Sequence, residues 1–311
     1  MFHKPNLDHM RLIRRQAEKQ LVSSLGPLNS GLEEFYSSVP LPDGHQGEIK
    51  ITRPKEAIPT GRPFIVLFHG GGFSGGSVEY MTRPARDFAL EFGAVVVSAT
   101  YRLAPEYKFP IPMQDSWDTL VWLAKNAVPL GANPSLGFVV GGVSAGGTMA
   151  AVLTQLAHDR ALDPPLTGSF VSIPLLLVKD IVPAEYKKDW TSMEENKNNP
   201  SLNKEAIKNI IRTLAPDVKS PLFSPFNSPT PHVGLPPTYV HVGGLDVLRD
   251  DGLIYERALR KNGVPTRCDS YPELGHAAWT IYATGYNRER MAANTMNGMR
   301  WLLSREGKKT P

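Results

Sequence analysis

Gly142-Val143-Ser144-Ala145-Gly146 places a serine at the centre of a Gly-x-Ser-x-Gly pentapeptide. The apolar run Leu136 to Val140 precedes it, and a stretch rich in helix formers, Thr148 to Ala157, follows. A strand-to-helix turn that sharp needs residues without Cβ on both sides, and it pushes the central residue into the open. The N–H of Ala145 then lies at a helix N-terminus, where developing negative charge is stabilised. A serine hydroxyl in that place becomes a nucleophile once a neighbouring base takes its proton. Alone, the pentapeptide also fits a plain glycine–serine turn, because so short a match arises by chance.

A second chemical element is His69-Gly70-Gly71-Gly72-Phe73, directly after a buried apolar run. Two readings compete. Gly70-x-Gly72-x-x-Gly75 formally matches a dinucleotide-binding fingerprint, which also needs an acid at the end of the next strand to hold the ribose. That strand ends Ser98-Ala99-Thr100-Tyr101-Arg102, without an acid, although an arginine suits a ribose phosphate. The other reading is an oxyanion loop, in which the backbone N–H groups of Gly71 and Gly72 join that of Ala145. A glycine hinge remains a third possibility for the same residues.

A serine nucleophile needs a base, and the base needs an orienting acid. In a doubly wound hydrolase sheet these follow in the order Ser, Asp or Glu, His, each on a loop after a late strand. Thr238 to Val242 is a strand pattern followed by Gly243-Gly244-Leu245-Asp246, and Arg267 to Tyr271 is another, followed by Pro272-Glu273-Leu274-Gly275-His276. Asp246 and His276 therefore share the carboxyl edge of the sheet with Ser144 and the glycine loop, where ligands bind in open α/β sheets. Asp250, Asp251 and Glu273 are rivals for the acid. The first two suit the start of the next helix, and Glu273 points into a turn. Of the other histidines, His241 lies within a strand, His69 suits a role in fixing the glycine loop, and His158 ends a helix.

The elements that position these residues alternate. Pro63 to Phe68, Ala94 to Ala99 and Ser169 to Ile173 are strand patterns, the first two apolar nearly throughout, as for strands covered on both faces. Helix patterns run over 82–92, 113–126, 250–262 and 286–305, and short extended segments over 34–39 and 47–53. Strand–helix alternation means βαβ units and a mostly parallel sheet. Leu7, Met10, Ile13, Ala17 and Leu21 recur at helical spacing, predicting an N-terminal helix with that face inward, capped by Asn6 and stopped at Gly26-Pro27. The proline-rich excursion 176–236 interrupts the alternation and holds one clear helix pattern, Asn203 to Leu214. Its aromatics (Tyr186, Trp190, Phe223, Phe226) favour a packed cap over a flexible linker.

Composition narrows the classes. With 311 residues, 41% hydrophobic and 21% charged, the chain is ordinarily globular, and 1–311 reads as one domain with cap elements 1–30 and 176–236. The net charge of +4 is spread without a block of five like charges, which gives no support for a nucleic-acid tract. A lone cysteine, Cys268, excludes an intramolecular disulfide and argues against a cysteine-based metal site. No apolar window is long enough to span a membrane, and no secretory signal is evident, so a cytoplasmic setting is the expectation. Lys4 to Leu21 has the arginines of an organellar presequence, but Asp8, Glu18 and the absence of serine argue against one.

Assembled, these residues resemble the hormone-sensitive-lipase-like esterases of the α/β-hydrolase fold, over roughly residues 60–305. The resemblance rests on His69-Gly70-Gly71-Gly72, Tyr101-Arg102-Leu103-Ala104-Pro105-Glu106, Gly142-x-Ser144-Ala145-Gly146-Gly147, Ser224-Pro225, Leu235-Pro236-Pro237, Asp246-x-Leu248-Arg249-Asp250 and Gly275-His276. It is also similar to fungal esterases of secondary metabolism. The resemblance implies an eight-stranded, mostly parallel sheet flanked by helices, with a cap from the N-terminal helix and the insertion. It implies Ser144, Asp246 and His276 as a catalytic triad, Gly71, Gly72 and Ala145 as oxyanion hole, and no cofactor or metal. Phe73, Val143 and Trp279 are expected to line an apolar substrate pocket, and Arg102 is expected to pair with Glu106. Val143 and Val247 depart from the family pattern, which often has an acid before the nucleophile and a proline after the triad acid. The function implied is a serine carboxylesterase for short-to-medium acyl esters, with activity falling as the histidine protonates on acidification. An amidase or formamidase, an acyltransferase or cyclase, and a ligand-binding receptor on the same scaffold are the alternatives. The partner is a small-molecule ester, and the chain is a monomer or a homodimer.

Overall fold

The apolar runs become the centre of the sheet. β3 (Phe64–Phe68) and β4 (Val95–Ala99) are buried at every position. The computed structural model describes residues 7–276 and 285–304. The other strands are β1 (Leu32–Pro40), β2 (Gln46–Pro54), β5 (Phe138–Val143), β6 (Gly168–Ser172), β7 (Thr238–Gly243) and β8 (Thr266–Tyr271). They form one 8-stranded sheet in the order β1-β2-β4-β3-β5-β6-β7-β8. β1 and β2 are antiparallel, as are β2 and β4, and every later pairing is parallel. The fold is thus the α/β-hydrolase sheet that the sequence implies. The two short extended segments are the nine-residue strands β1 and β2 of a hairpin. β5 starts two residues later than the apolar run and continues through Val143, because Pro134–Leu136 forms a single 3₁₀ turn.

Alternation along β3 divides the core. Phe64, Val66 and Phe68 pack with Met113, Leu120 and Leu123 of α3 (Ile111–Lys125) and with Met149, Val152 and Leu153 of α4 (Ala145–Asp159). Ile65 and Leu67 point the other way, to Ala85 and Phe88 of α2 (Thr82–Phe92) and Met299 and Leu302 of α8 (Gly285–Leu303). α7 (Arg249–Lys261) covers Val171, Val240 and Val242 through Ile254, Tyr255 and Ala258. Two helical layers therefore enclose the sheet, and each strand delivers its following loop to one edge.

α1 (Leu7–Ser24) departs in part from the apolar face expected for it, of which Leu7, Ala17 and Leu21 are half-buried. Met10 and Ile13 are 47% and 52% exposed, whereas Glu18 is the one buried residue of the helix. The surface under α1 is the glycine loop after β3, whose carbonyls face outward. Arg11 and Arg14 match those carbonyls, and Met10 and Ile13 do not. Spacing alone could not reveal a polar docking surface. Asn6, the expected cap of this helix, lies outside the described residues.

The excursion 176–236 is packed, as its aromatics suggested: Tyr186 and Phe223 are buried. It adds a single-turn helix, α5 (Ser192–Glu195), before α6 (Lys204–Leu214). Asn203 caps α6 through its side chain, which accepts the Ala206 N–H at 2.8 Å.

Candidate active site

From Phe138 to Ala157 every residue is buried except Ser144. β5 ends at Val143 and α4 begins at Ala145, so Ser144 alone makes the turn, at φ 57° and ψ −119°. This backbone is unfavourable for a residue with a side chain, and it lifts Oγ clear of the sheet. The turn also presses α4 onto the end of β3. A Cβ on Gly146 would lie 2.0 Å from the Phe68 carbonyl oxygen, so no other residue fits there.

His276 and Asp246 arrive on the loops after β8 and β7. Leu245 N–H donates to the Leu274 carbonyl at 3.0 Å and Gly244 N–H to that of Tyr271 at 2.8 Å, which locks the two loops together. His276 Nε2 lies 2.8 Å from Ser144 Oγ, and His276 Nδ1 lies 2.7 Å from Asp246 Oδ2. The other carboxylate oxygen of Asp246, which is fully buried, accepts the Leu248 N–H at 2.9 Å. A carboxylate only accepts, so the neutral imidazole carries its proton on Nδ1. Nε2 is then free to take the serine proton.

The glycine loop faces this array. Gly70 approaches Ser144: a Cβ there would lie 3.3 Å from the serine Cβ. Gly71, at φ 127°, adopts a conformation reserved for glycine. Among the described residues, no acceptor takes the N–H of Gly71, Gly72 or Ala145. His69 supports the loop from behind. Its Nδ1 donates to the Gly70 carbonyl at 2.7 Å, its Nε2 accepts from Thr100 Oγ1 at 2.9 Å, and Tyr101 stacks on it. Burial pulls its pKa down to about 4, so the ring stays neutral and structural. Chemically the arrangement offers a hydroxyl, an imidazole acceptor and a buried carboxylate in line, with N–H groups beside them that have no acceptor among the described residues.

A family model described as the α/β-hydrolase fold matches residues 65–280. The chain belongs to the α/β-hydrolase family. An α/β-hydrolase superfamily protein of Schizosaccharomyces pombe is 33% identical to this hydrolase over 299 residues, covering 96% of the chain and 88% of that protein. A versiconal hemiacetal acetate esterase of Dothistroma septosporum is 31% identical, covering 78% and 74%. The solved structure of a vibralactone cyclase superposes with a TM-score of 0.90 at 29% identity, covering 99% of the chain and 91% of that structure. Relatives named as esterases place the hydrolase among the esterase-type members of its family.

Several expected neighbours of the hydrolase site lie elsewhere. Val143 is fully buried on the α2 side of the sheet, because the last strand residue faces away from the loop that follows. Phe73 is 1% exposed and belongs to the apolar cluster of Met113 and of Ile207 in α6, so it supports the glycine loop from below. Trp279 lies outside the described residues. Arg102 does not pair with Glu106. It forks onto Asp115 at 2.7 and 2.9 Å and reaches Asp43 at 2.6 Å. Glu106 is taken by Arg11 of α1, whose hydrogen bonds hold its carboxyl down at about 2. Sequence proximity suggested the first pair, but α1 stands nearer to Glu106 than Arg102 does.

The residue over the site that sequence reasoning missed is Ile210 of α6. Its side chain stands 3.1 Å from where a Cβ on Gly72 would be. Its only signal was the apolar stripe of a helix in the insertion. No helix among the described residues is long and apolar enough to cross a membrane, and no cluster among them is arranged to hold a metal ion.

Asp250 and Asp251, rivals for the acid that better suited the start of a helix, tie the insertion to α7, just after the loop bearing Asp246. Asp250 accepts the N–H groups of Thr191 and Ser192 at 2.7 and 2.6 Å. Asp251 accepts those of Leu176 and Leu177 at 2.8 and 2.9 Å and the Trp190 indole at 2.8 Å. Burial nevertheless pushes the Asp251 carboxyl up to about 7 from its ordinary 3.8. A folded-state value above the unfolded one means that its stabilisation is full below about 4 and is lost as pH rises through about 7. The stability of the hydrolase relative to Asp251→Asn is therefore expected to fall across that window. Thermal melts of both proteins at matched pH check it, and a difference that stays flat or widens with pH contradicts it.

Proposed function

We propose that the hydrolase is a serine carboxylesterase acting on short-to-medium acyl esters through an acyl-enzyme. The hydrogen-bonded chain from Ser144 through His276 to Asp246, at 2.8 and 2.7 Å, carries this reading. Ser144 Oγ attacks the ester carbonyl carbon as its proton passes to His276 Nε2, and Asp246 stabilises the imidazolium through Nδ1–H. The carbonyl oxygen, now an oxyanion, accepts hydrogen bonds from the N–H groups of Gly71, Gly72 and Ala145. When the tetrahedral intermediate collapses, the C–O bond to the alcohol breaks and His276 returns the proton to the leaving oxygen. Water then repeats the sequence on the acyl-enzyme, releasing the acid and restoring Ser144. The chemistry calls for no cofactor.

The N-terminal helix and the 176–236 excursion serve as the cap, with Ile210 close over Gly72. Such a roof suits a small acyl group, so kcat/KM over a nitrophenyl ester series is expected to peak at short chains. Rates rising steadily beyond about ten carbons would sink the chain-length reading.

A second reading is transfer of the acyl group to an alcohol on the same substrate. The 0.90 TM-score with a vibralactone cyclase over 99% of the chain favours considering it. It uses the same acyl-enzyme and differs only in the acceptor. Product analysis in ¹⁸O water with hydroxy-ester substrates separates the two. One labelled oxygen in the released acid marks hydrolysis, and an unlabelled lactone marks cyclisation.

A further inference from the structure

α1 grips the proposed oxyanion loop by its carbonyls. Arg14 Nη1 donates to the Gly71 carbonyl at 2.9 Å. Arg11 Nε donates to the Ser74 carbonyl at 2.8 Å, and its Nη2 to that of Ala104 at 2.8 Å. The same Arg11 guanidinium is braced by Glu106 at 2.6 and 2.7 Å. Further along the helix, buried Glu18 accepts from Ser77 Oγ at 2.6 Å. Every one of these contacts falls on the 71–77 loop or on the Ala104–Glu106 segment behind it.

The peptide joining Gly71 to Gly72 is trans, so the Gly71 carbonyl and the Gly72 N–H point in opposite directions. Whatever fixes the carbonyl also fixes the N–H. Within the loop, Ser74 N–H reaches the Gly71 carbonyl at 3.2 Å and Ser74 Oγ reaches that of Gly72 at 3.0 Å. Ser74 travels with the loop, whereas Arg14 ties it to a separate element. Glycines adopt many conformations at little cost, so a loop of three in succession needs such an outside tie to hold one. The charge also counts. Among the described residues no carboxylate lies within ion-pair distance of Arg14, and its positive charge adds a little to the burial that lowers the pKa of His69.

We infer that Arg14, braced by Arg11, is a positioning residue of the active site. It holds the Gly71–Gly72 peptide so that the Gly72 N–H faces the developing oxyanion. The inference rests on the esterase reading of Ser144 and deepens it, because it makes the N-terminal helix part of the rate-determining geometry as well as a roof.

The test compares Arg14→Met, Arg14→Lys and, as a control on the adjacent exposed position, Arg15→Met. Each is measured with nitrophenyl acetate, with a trifluoromethyl ketone that forms an oxyanion on serine, and by thermal melting. Arg14→Met is expected to lower kcat about 10- to 100-fold with KM nearly unchanged, since the loss falls on the transition state. Affinity for the ketone should fall by the same factor. Arg14→Lys, which keeps the charge and a donor, should recover part of both, and Arg15→Met should match wild type. An unchanged kcat in Arg14→Met overturns the inference, as does a loss confined to KM or one shared equally by Arg15→Met. If Arg14→Met does not fold, Arg14→Gln replaces it under the same criteria. Failure of the esterase reading itself shows separately, as wild type that neither turns over esters nor binds the ketone, and it overturns this inference with it.

Discussion

Ser144→Ala is expected to lower kcat for nitrophenyl acetate by about a millionfold, leaving only what binding and the oxyanion donors supply. Its stability should barely change, because alanine inherits the strained turn at φ 57° and ψ −119°. Ser144→Gly should be equally inactive yet more stable than Ser144→Ala, by about 1 kcal/mol. Glycine relieves a backbone strain of roughly 1–3 kcal/mol and gives back part of it as lost unfolded-state restriction. Steady-state rates and thermal melts of the three proteins decide this. Residual turnover within a hundredfold of wild type would show that another group attacks the ester. A glycine variant no more stable than the alanine one would show that the turn stores no strain.

Asp246→Asn is expected to lower kcat about 10⁴-fold while the fold survives. The asparagine carbonyl can keep the bond to Leu248 N–H that Asp246 Oδ1 now accepts at 2.9 Å. Its amide NH₂ then faces His276 Nδ1, where a carboxylate oxygen now lies at 2.7 Å. Two donors cannot share that contact, so the ring moves its proton to Nε2 and can no longer take one from Ser144. The change removes one charge and little volume, so a large loss of kcat with an unaltered melting temperature separates a tautomer effect from a packing effect. A loss below tenfold would assign the orienting role to a different acid.

The parts of the site that are legible in the sequence are those whose chemistry and backbone demands coincide. Gly146 marks the turn because any side chain would strike the Phe68 carbonyl, and Ser144 is therefore recognisable from its neighbours. Asp246 and His276 are legible because each follows a strand pattern by a few residues, and a parallel sheet delivers those loops to one edge. The sheet itself was legible because β3 and β4 are apolar nearly throughout. What was not legible depends on contacts between distant segments. The periodicity of α1 missed the centre of its docking face, since it scores only apolar residues and the helix docks by arginine onto carbonyls. Arg102 seemed to belong with Glu106 four residues on, yet its partners Asp43 and Asp115 come from the β1–β2 turn and from α3. Val143 lies next to the nucleophile in sequence, but strand alternation turns it to the opposite face.

On the proposed reading, His276 and Asp246 activate the Ser144 hydroxyl, and α1 holds the glycine loop that would receive the oxyanion. The most direct measurement is the intact mass of wild type, Ser144→Ala and His276→Ala after treatment with a serine-reactive fluorophosphonate. The account predicts one adduct on wild type, placed on Ser144 by peptide mapping, none on Ser144→Ala, and strongly slowed labelling of His276→Ala. A folded wild type that stays unmodified, or one labelled at the same rate without His276, would contradict it.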